Sequence, residues 1–180
     1  PNVVAVHDVG IVDGQVYLAM EFVEGLTLTK WLTEKPRSWR EIVSVFLEAG
    51  EGLAAAHDAG VTHRDFKPDN VVIGKSGRAR VMDFGLAHAH ETNKEPATPL
   101  VSAETPTGSI RRRITLPGIM LGTPAYMSPE AMYGQKTDPR SDEFSFAIAL
   151  YEALYGYRPF EGLTAPAVAA EIQLNRVKAP

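Results

Sequence analysis

Aliphatic residues crowd the first two dozen positions and tend to alternate with polar ones: Val3, Val4, Val6, Val9, Ile11 and Val12, then Val16, Leu18 and Met20. A period near two predicts strands, here Val3 to Val12 and Val16 to Glu21, joined as a hairpin by the turn-forming pair Asp13-Gly14. The period then lengthens. Thr27 offers an N-cap to a short helix carrying Leu28, Trp31 and Leu32, which Pro36 ends. Ser38 and Glu41 have the spacing of a capping box. Behind them Ile42, Val45, Phe46, Ala49, Leu53 and Ala56 fall on one helical face, and Gly60 is a natural stop.

Beyond Gly60 the elements shorten. Val71 to Ile73 and Arg80 to Met82 read as strands around the turn Lys75-Ser76-Gly77. From about His88 to Pro117 neither period is sustained, which predicts a long mobile loop. A helix over about Asp142 to Tyr155 is apolar nearly all round, through Phe144, Phe146, Ile148, Leu150, Tyr151 and Leu154, so it is expected at the domain centre. Gly156 and Pro159 terminate it, and Thr164 to Leu174 begins one further helix. Trp31, Trp39 and the aromatic residues of the Asp142 helix read as core. No internal repeat is present.

Composition narrows the function classes. With 180 residues, 44% hydrophobic and 22% charged, the chain suits one soluble domain. It has no cysteine, which removes disulfide and thiolate-metal chemistry and fits an intracellular, cytoplasmic setting. A net charge of -4 argues against a nucleic-acid partner. No apolar stretch approaches the roughly 20 residues of a membrane span.

The densest chemistry lies in His63-Arg64-Asp65-Phe66-Lys67-Pro68-Asp69-Asn70, where two carboxylates, an amide and three potential cations share eight positions between a helix and a strand. Catalytic groups commonly sit on such loops. A solvated turn rich in Asp, Asn and Pro is the alternative. Asp83-Phe84-Gly85 follows the second short strand and by itself is equally an ordinary strand end. Together the two motifs supply what phosphoryl transfer needs. Asp83 and Asn70 carry the hard oxygens that Mg²⁺ prefers, Asp65 can orient a hydroxyl and accept its proton, and Lys67 can neutralise charge on the transferring group. His88 and His90 have H-x-H spacing without a second cluster, so no zinc site is expected. His63 reads as a packed residue and His57 as a helix-end residue.

H-R-D-F-K-P-D-N, D-F-G and G-T-P-A-Y-M-S-P-E, in that order, resemble the catalytic loop, the metal-binding motif and the A-P-E segment of the eukaryotic-type serine/threonine protein kinases. Tyr17 to Gly25 looks like their fifth strand and hinge. The resemblance implies an α+β, two-lobed protein-kinase-like fold, with a remnant of a β-rich N-lobe over 1–25 and a mainly helical C-lobe over 26–180. It implies ATP and Mg²⁺ as cofactors, Asp65 as base, Lys67 on the γ-phosphate and Asn70 and Asp83 on the metal. Thr123 would bond near Asp65 and Lys67, and Asp142 would brace the catalytic loop. Met20 would be the gatekeeper, Glu21 and Val23 would offer backbone groups to adenine, and Val72 would form the floor beneath it. Lys67 favours Ser or Thr acceptors in protein substrates. The run S-D-E-F-S-F-A-I-A-L-Y-E-A-L resembles bacterial members.

The chain departs from the family pattern at both ends. Pro1 opens directly on a strand, and no G-x-G-x-x-G loop and no V-A-I-K lysine is present, so the start reads as truncated and the chain alone is expected to be inactive. The end reads as preceding the helices whose arginine would pair with Glu130. Two other classes stay open: a pseudokinase or binding scaffold, and a small-molecule phosphotransferase. The segment from Asp83 to Glu130 is longer than the family usually shows and contains Arg111-Arg112-Arg113-Ile114-Thr115. A solvated basic run is one reading. The other is trans-autophosphorylation of Thr115 through self-association, its phosphate then held by Arg64, because Glu24 and Asp69 match positions that favour arginine before the acceptor.

Overall fold

The computed structural model describes residues 1–12, 15–84, 124–162 and 164–179. Strands β1 (Val6–Val12) and β2 (Gln15–Met20) pair antiparallel, Val12 opposite Gln15 and Val6 opposite Met20, with a bulge between Val6 and Asp8. The predicted turn at Asp13-Gly14 lies outside the described residues. The predicted first strand is divided, because its opening residues pair elsewhere. Val4 N–H donates to the Val81 carbonyl (2.9 Å) and Val81 N–H to the Asn2 carbonyl (2.8 Å).

That partner belongs to a second sheet, ordered β3 (Gly25–Thr27), β4 (Val71–Gly74) and β5 (Ala79–Val81), all antiparallel. Nothing in the side-chain pattern predicts β3. Gly25 permits it, since a Cβ there would lie 2.0 Å from the Ile73 carbonyl oxygen. β5 starts and ends one residue before the predicted strand, as Met82 N–H leaves the ladder for the Asn70 carbonyl (2.9 Å). The outer edge of β5 is fully occupied: Asn2 Nδ2 donates to the Ala79 carbonyl (3.0 Å), and Ala79 N–H donates to Glu48 Oε2 (2.6 Å). An edge closed in this way leaves no buried backbone group without a partner.

Helix α1 (Leu28–Glu34) is capped by Thr27 as expected. The long helix α2 (Trp39–Asp58) carries the predicted capping box: Ser38 N–H donates to Glu41 Oε2 (2.8 Å) and Glu41 N–H to Ser38 Oγ (3.3 Å). Its buried face is Ile42, Val45, Phe46, Ala49, Gly52 and Leu53. This face covers Val71, Ile73, Ala79 and Val81, which point to one side of β4 and β5, while Val72 and Arg80 pair on the other. Gly52 lets the chain start approach, because a Cβ there would stand 2.3 Å from the Asn2 carbonyl oxygen. Trp39 departs from the core reading: it is exposed at the helix start and stacks under Arg40 (4.4 Å).

Short helix α3 (Pro129–Met132) is capped by Ser128. Helix α4 (Pro139–Tyr155) starts three residues before the expected Asp142, with Asp138 as N-cap, Pro139 at the first position and reciprocal bonds between Asp138 and Ser141. Its predicted burial on all sides is corrected. Ser141, Asp142, Ser145, Ile148 and Ala149 are buried, whereas Phe144, Phe146, Leu150, Tyr151 and Leu154 are half-buried. The inward line is made of small and polar residues because it faces the loop that follows α2, and the large side chains are displaced to the flanks. Gly156 closes the helix at φ 77°, and α5 (Ala165–Gln173) follows its Thr164 cap. Among the described residues no helix is long and apolar enough to cross a membrane.

Candidate active site

The segment 61–70 leaves α2, crosses in front of α4 and enters β4 through a 3-10 turn at Pro68–Asn70. Two apolar anchors fix it. His63 and Phe66 are fully buried, and their rings join Phe46, Phe146 and Phe84 in one aromatic chain, with centroid distances of 4.7 Å for His63–Phe84 and 5.6 Å for Phe66–Phe146. Between the anchors Arg64 and Asp65 face outward. Arg64 sits at φ 68°, a left-handed conformation that costs a non-glycine residue about 1–3 kcal/mol and needs support.

Asp142 supplies the support. Its carboxylate, 1% exposed in the first turns of α4, accepts three bonds of 2.7 Å: from the N–H of His63, from the N–H of Arg64 and from Nε2 of His57 at the end of α2. Position near a helix N-terminus also favours the negative charge. His57, read from sequence as a helix-end residue, is thus tied to the loop. A histidine one turn before a helix stop carries no sequence signal that separates the two roles.

The His63 ring continues the chain of contacts. Asp65 N–H donates to Nδ1 (3.2 Å), so the proton resides on Nε2, which donates to the Met82 carbonyl (2.9 Å). Burial holds this imidazole below its ordinary pKa, against the pull of the Met82 carbonyl and the nearby carboxylates, and it is neutral. Met82 is therefore gripped at both backbone groups, its N–H by Asn70 and its carbonyl by His63. The next residue, Asp83, is half-buried at φ 62°. Two strained residues with carboxylates beside or on them share one buried scaffold.

Of the sequence-derived candidates, Asp65, Lys67 and Asn70 converge. Lys67 Nζ lies 2.7 Å from Asp65 Oδ2, and Asn70 Nδ2 donates to the Asp65 carbonyl (2.7 Å) and side chain (3.3 Å). With both Nδ2 hydrogens committed, Asn70 would meet a cation through Oδ1. That hard oxygen and the Asp83 carboxylate are of the oxygen type that Mg²⁺ accepts, with waters completing its shell. Among the described residues no group of three or more His, Asp or Glu could hold a metal ion by itself. Met20 ends β2, Glu21 follows it, and Val23 lies between β2 and β3 against Gly74. Val72 sits on β4 beside Arg80, whose guanidinium bonds the Glu21 carboxylate and holds it below the usual carboxylate range. Thr115, Thr123, His88, His90 and the predicted loop of 88–117 lie outside the described residues. Glu130 accepts from Ser141 Oγ.

The sequence matches a known family, the protein kinase domain, over residues 1–178. This chain belongs to the protein kinase family. The kinase domain is 38% identical to the serine/threonine-protein kinase pkn2 of Myxococcus xanthus over 98% of this chain and 20% of that protein. It is 40% identical to PknL of Mycobacterium tuberculosis over 92% of this chain and 37% of that protein. It is 35% identical to the probable PknB of Lactococcus lactis over 94% and 24%. The kinase domain thus spans well under half the length of these relatives, all of them bacterial. The expected bacterial, eukaryotic-type serine/threonine kinase likeness and the α+β kinase-like fold are borne out.

Proposed function

We propose that the protein carrying this chain transfers the γ-phosphoryl group of ATP to Ser or Thr hydroxyls of protein substrates. The observation that carries the reading is the convergence of Asp65, Lys67 and Asn70 on one loop braced by Asp142. The Asp65 carboxylate, 47% exposed, orients the acceptor hydroxyl and receives its proton. Lys67 neutralises charge on the transferring group, and Asn70 Oδ1 and the Asp83 carboxylate hold Mg²⁺. Bound Mg²⁺ supplies charge neutralisation at the phosphate oxygens. Met20, the backbone of Glu21 and Val23, and the Val72 side chain bound the adenine, and Thr123 bonds near Asp65. Residues 1–25 act as one lobe and 26–180 as the other, in the cytoplasm.

The second part of the proposal is regulatory. Self-associated copies phosphorylate Thr115 in trans, and Arg64, exposed beside Tyr126, Met127 and Ser128, holds the phosphate. Glu24 and Asp69 favour arginine before the acceptor, although Lys75 already pairs with Glu24.

Steady-state phosphorylation by the complete protein with Mg-ATP tests this reading. Asp65→Asn should lower kcat by roughly 10² to 10⁴, the range for a lost general base. Asp83→Asn should cause a defect that more Mg²⁺ partly relieves. Wild-type kcat in Asp65→Asn removes the mechanism. The 180-residue chain alone, which contains no glycine-rich loop, should show little turnover, and a robust rate would overturn that part. Mass spectrometry with Thr115→Ala judges the switch: full activity without modification of Thr115 ends it.

A further inference from the structure

We infer that Lys75 is a specificity-determining residue for the protein substrate: it holds the Glu24 carboxylate and so weakens the selection of a basic residue before the acceptor. The inference rests on the proposed activity, with Glu24 as an acidic group that meets that residue. Its ground is the register of the small sheet. β3 and β4 pair antiparallel as Gly25 opposite Gly74, Leu26 opposite Ile73 and Thr27 opposite Val72, so one step beyond the ladder Glu24 faces Lys75. That step is made. Lys75 N–H donates to the Glu24 carbonyl (3.1 Å), and the Lys75 ammonium pairs with the Glu24 carboxylate. Directly opposed strand positions bring side chains together, and opposite charges there attract.

Two backbone features fix the pair. At Gly25 the strands approach so closely that a Cβ would stand 2.0 Å from the Ile73 carbonyl oxygen. Beyond Lys75 the chain reverses at once: Gly74 N–H donates to the Arg78 carbonyl (3.0 Å), and Gly77, at φ 84°, donates its N–H to the Gly74 carbonyl (2.9 Å). The turn keeps Lys75 opposite Glu24. The two side chains are 73% and 66% exposed, so water screens the pair and leaves it reversible. An exposed pair of this kind is worth a factor of about 1.5 to 5 in an equilibrium. A substrate arginine reaching Glu24 must displace the ammonium, and Arg78, exposed in the same turn, adds a second repelling charge. A neutral residue meets no such opposition, and an acidic one is attracted by Lys75. The pair thus tunes selection at that position without blocking it.

The experiment gives the complete protein Mg-ATP and Thr peptides in which the second or third residue before the acceptor is Arg, Ala or Glu, and measures kcat/KM for each. The Arg-to-Ala ratio within one enzyme cancels any loss of active protein. Lys75→Ala should raise that ratio about threefold at the position that meets Glu24, and Lys75→Glu should raise it further, while the Glu-to-Ala ratio falls in both. With Glu24→Gln also present, Lys75→Ala should move the Arg-to-Ala ratio by less than about 1.5-fold, because the charge that Lys75 holds is gone. The inference is overturned if neither Lys75 variant raises the ratio. It is equally overturned if Lys75→Ala raises the ratio as much with Glu24→Gln as without it, which would make Lys75 a general repelling charge. A wild-type protein that phosphorylates no peptide removes the proposed activity and this inference together, whereas an active enzyme with an unchanged ratio removes the inference alone.

Discussion

The hairpin β1–β2 and the sheet β3–β4–β5 are built from the same kinds of residue and have opposite fates. In β4 and β5, Val71, Ile73, Ala79 and Val81 are at most 5% exposed beneath α2. In the hairpin Val6, Val9, Ile11, Val12 and Val16 are 55% to 72% exposed among the described residues. A valine or isoleucine fully buried contributes about 1.5–3 kcal/mol, and one left in water contributes little. Alternation along a strand therefore reports its conformation, and the element laid across it decides its energy. The chemistry follows the covered sheet. Every side chain that braces Asp65 and Asp83 comes from α2, α4, or the two segments that flank β4 and β5.

The contrast is broken most severely from the covered side. Phe46 is 1% exposed and touches Phe146 edge to face at 5.4 Å, so Phe46→Ala should cost about 3–5 kcal/mol of stability, read as a lower urea midpoint. A loss below about 1 kcal/mol would mean that α2 does not cover the sheet as described.

The joint between the two regions comes next. Asn2 holds the edge of β5 through its side chain and carbonyl, and at the same open end of the hairpin Glu21 bonds the Ala5 carbonyl through its N–H and pairs with Arg80. Asn2→Ala orphans the Ala79 carbonyl and should cost about 1–3 kcal/mol. Amide exchange should rise through β1 and β2 more than in β4, since an anchor of the hairpin has gone. Equal acceleration in both sheets would contradict separate anchoring.

A pH titration sharpens the contrast without altering the covered core's size. His63 is kept neutral by burial, so the unfolded chain binds a proton that the native one rejects. Its contribution to stability is complete above the unfolded value of about 6.5 and is lost as pH falls below that. Unfolding free energies between pH 8 and pH 5 should decline toward acid, and His63→Phe should flatten part of that decline. Among the described residues the hairpin has no buried titrating group to do the same. An identical slope in His63→Phe would assign the acid sensitivity elsewhere.

These differences also explain what was legible beforehand. The Ser38–Glu41 capping box, the α2 face and the order of the three motifs are local patterns, and they located α2 and the site loop closely. The missed features are contacts between distant positions. Asn2 and Val4 join β5 across more than seventy residues, β3 exists because Gly25 can approach Ile73, and His57 meets Asp142 across 85 positions. None leaves a periodic trace. The start of α4 was legible in principle, because Asp138 followed by Pro139 is an N-cap and first-turn pair, but the apolar run beginning at Phe144 drew the boundary inward. That same run led to an overstatement of burial, since the amount of apolar surface on a helix does not say how much of it a neighbour covers.

The smallest expected effect tests the uncovered side directly. Ile11 is 72% exposed on β1 and pairs with Val16, itself 55% exposed. Ile11→Thr keeps the β-branch and therefore the strand preference, while removing apolar surface that water already reaches. In the 180-residue chain the urea midpoint should move by less than the equivalent of about 0.5 kcal/mol. The same substitution in the complete protein compares the hairpin with itself. A loss there of about 1–2 kcal/mol would show that residues beyond these cover Ile11, because only burial converts a methyl group into stability on that scale. A loss of that size in the 180-residue chain itself would instead mean that the hairpin's apolar face is already covered, and the distinction between the two sheets would fall.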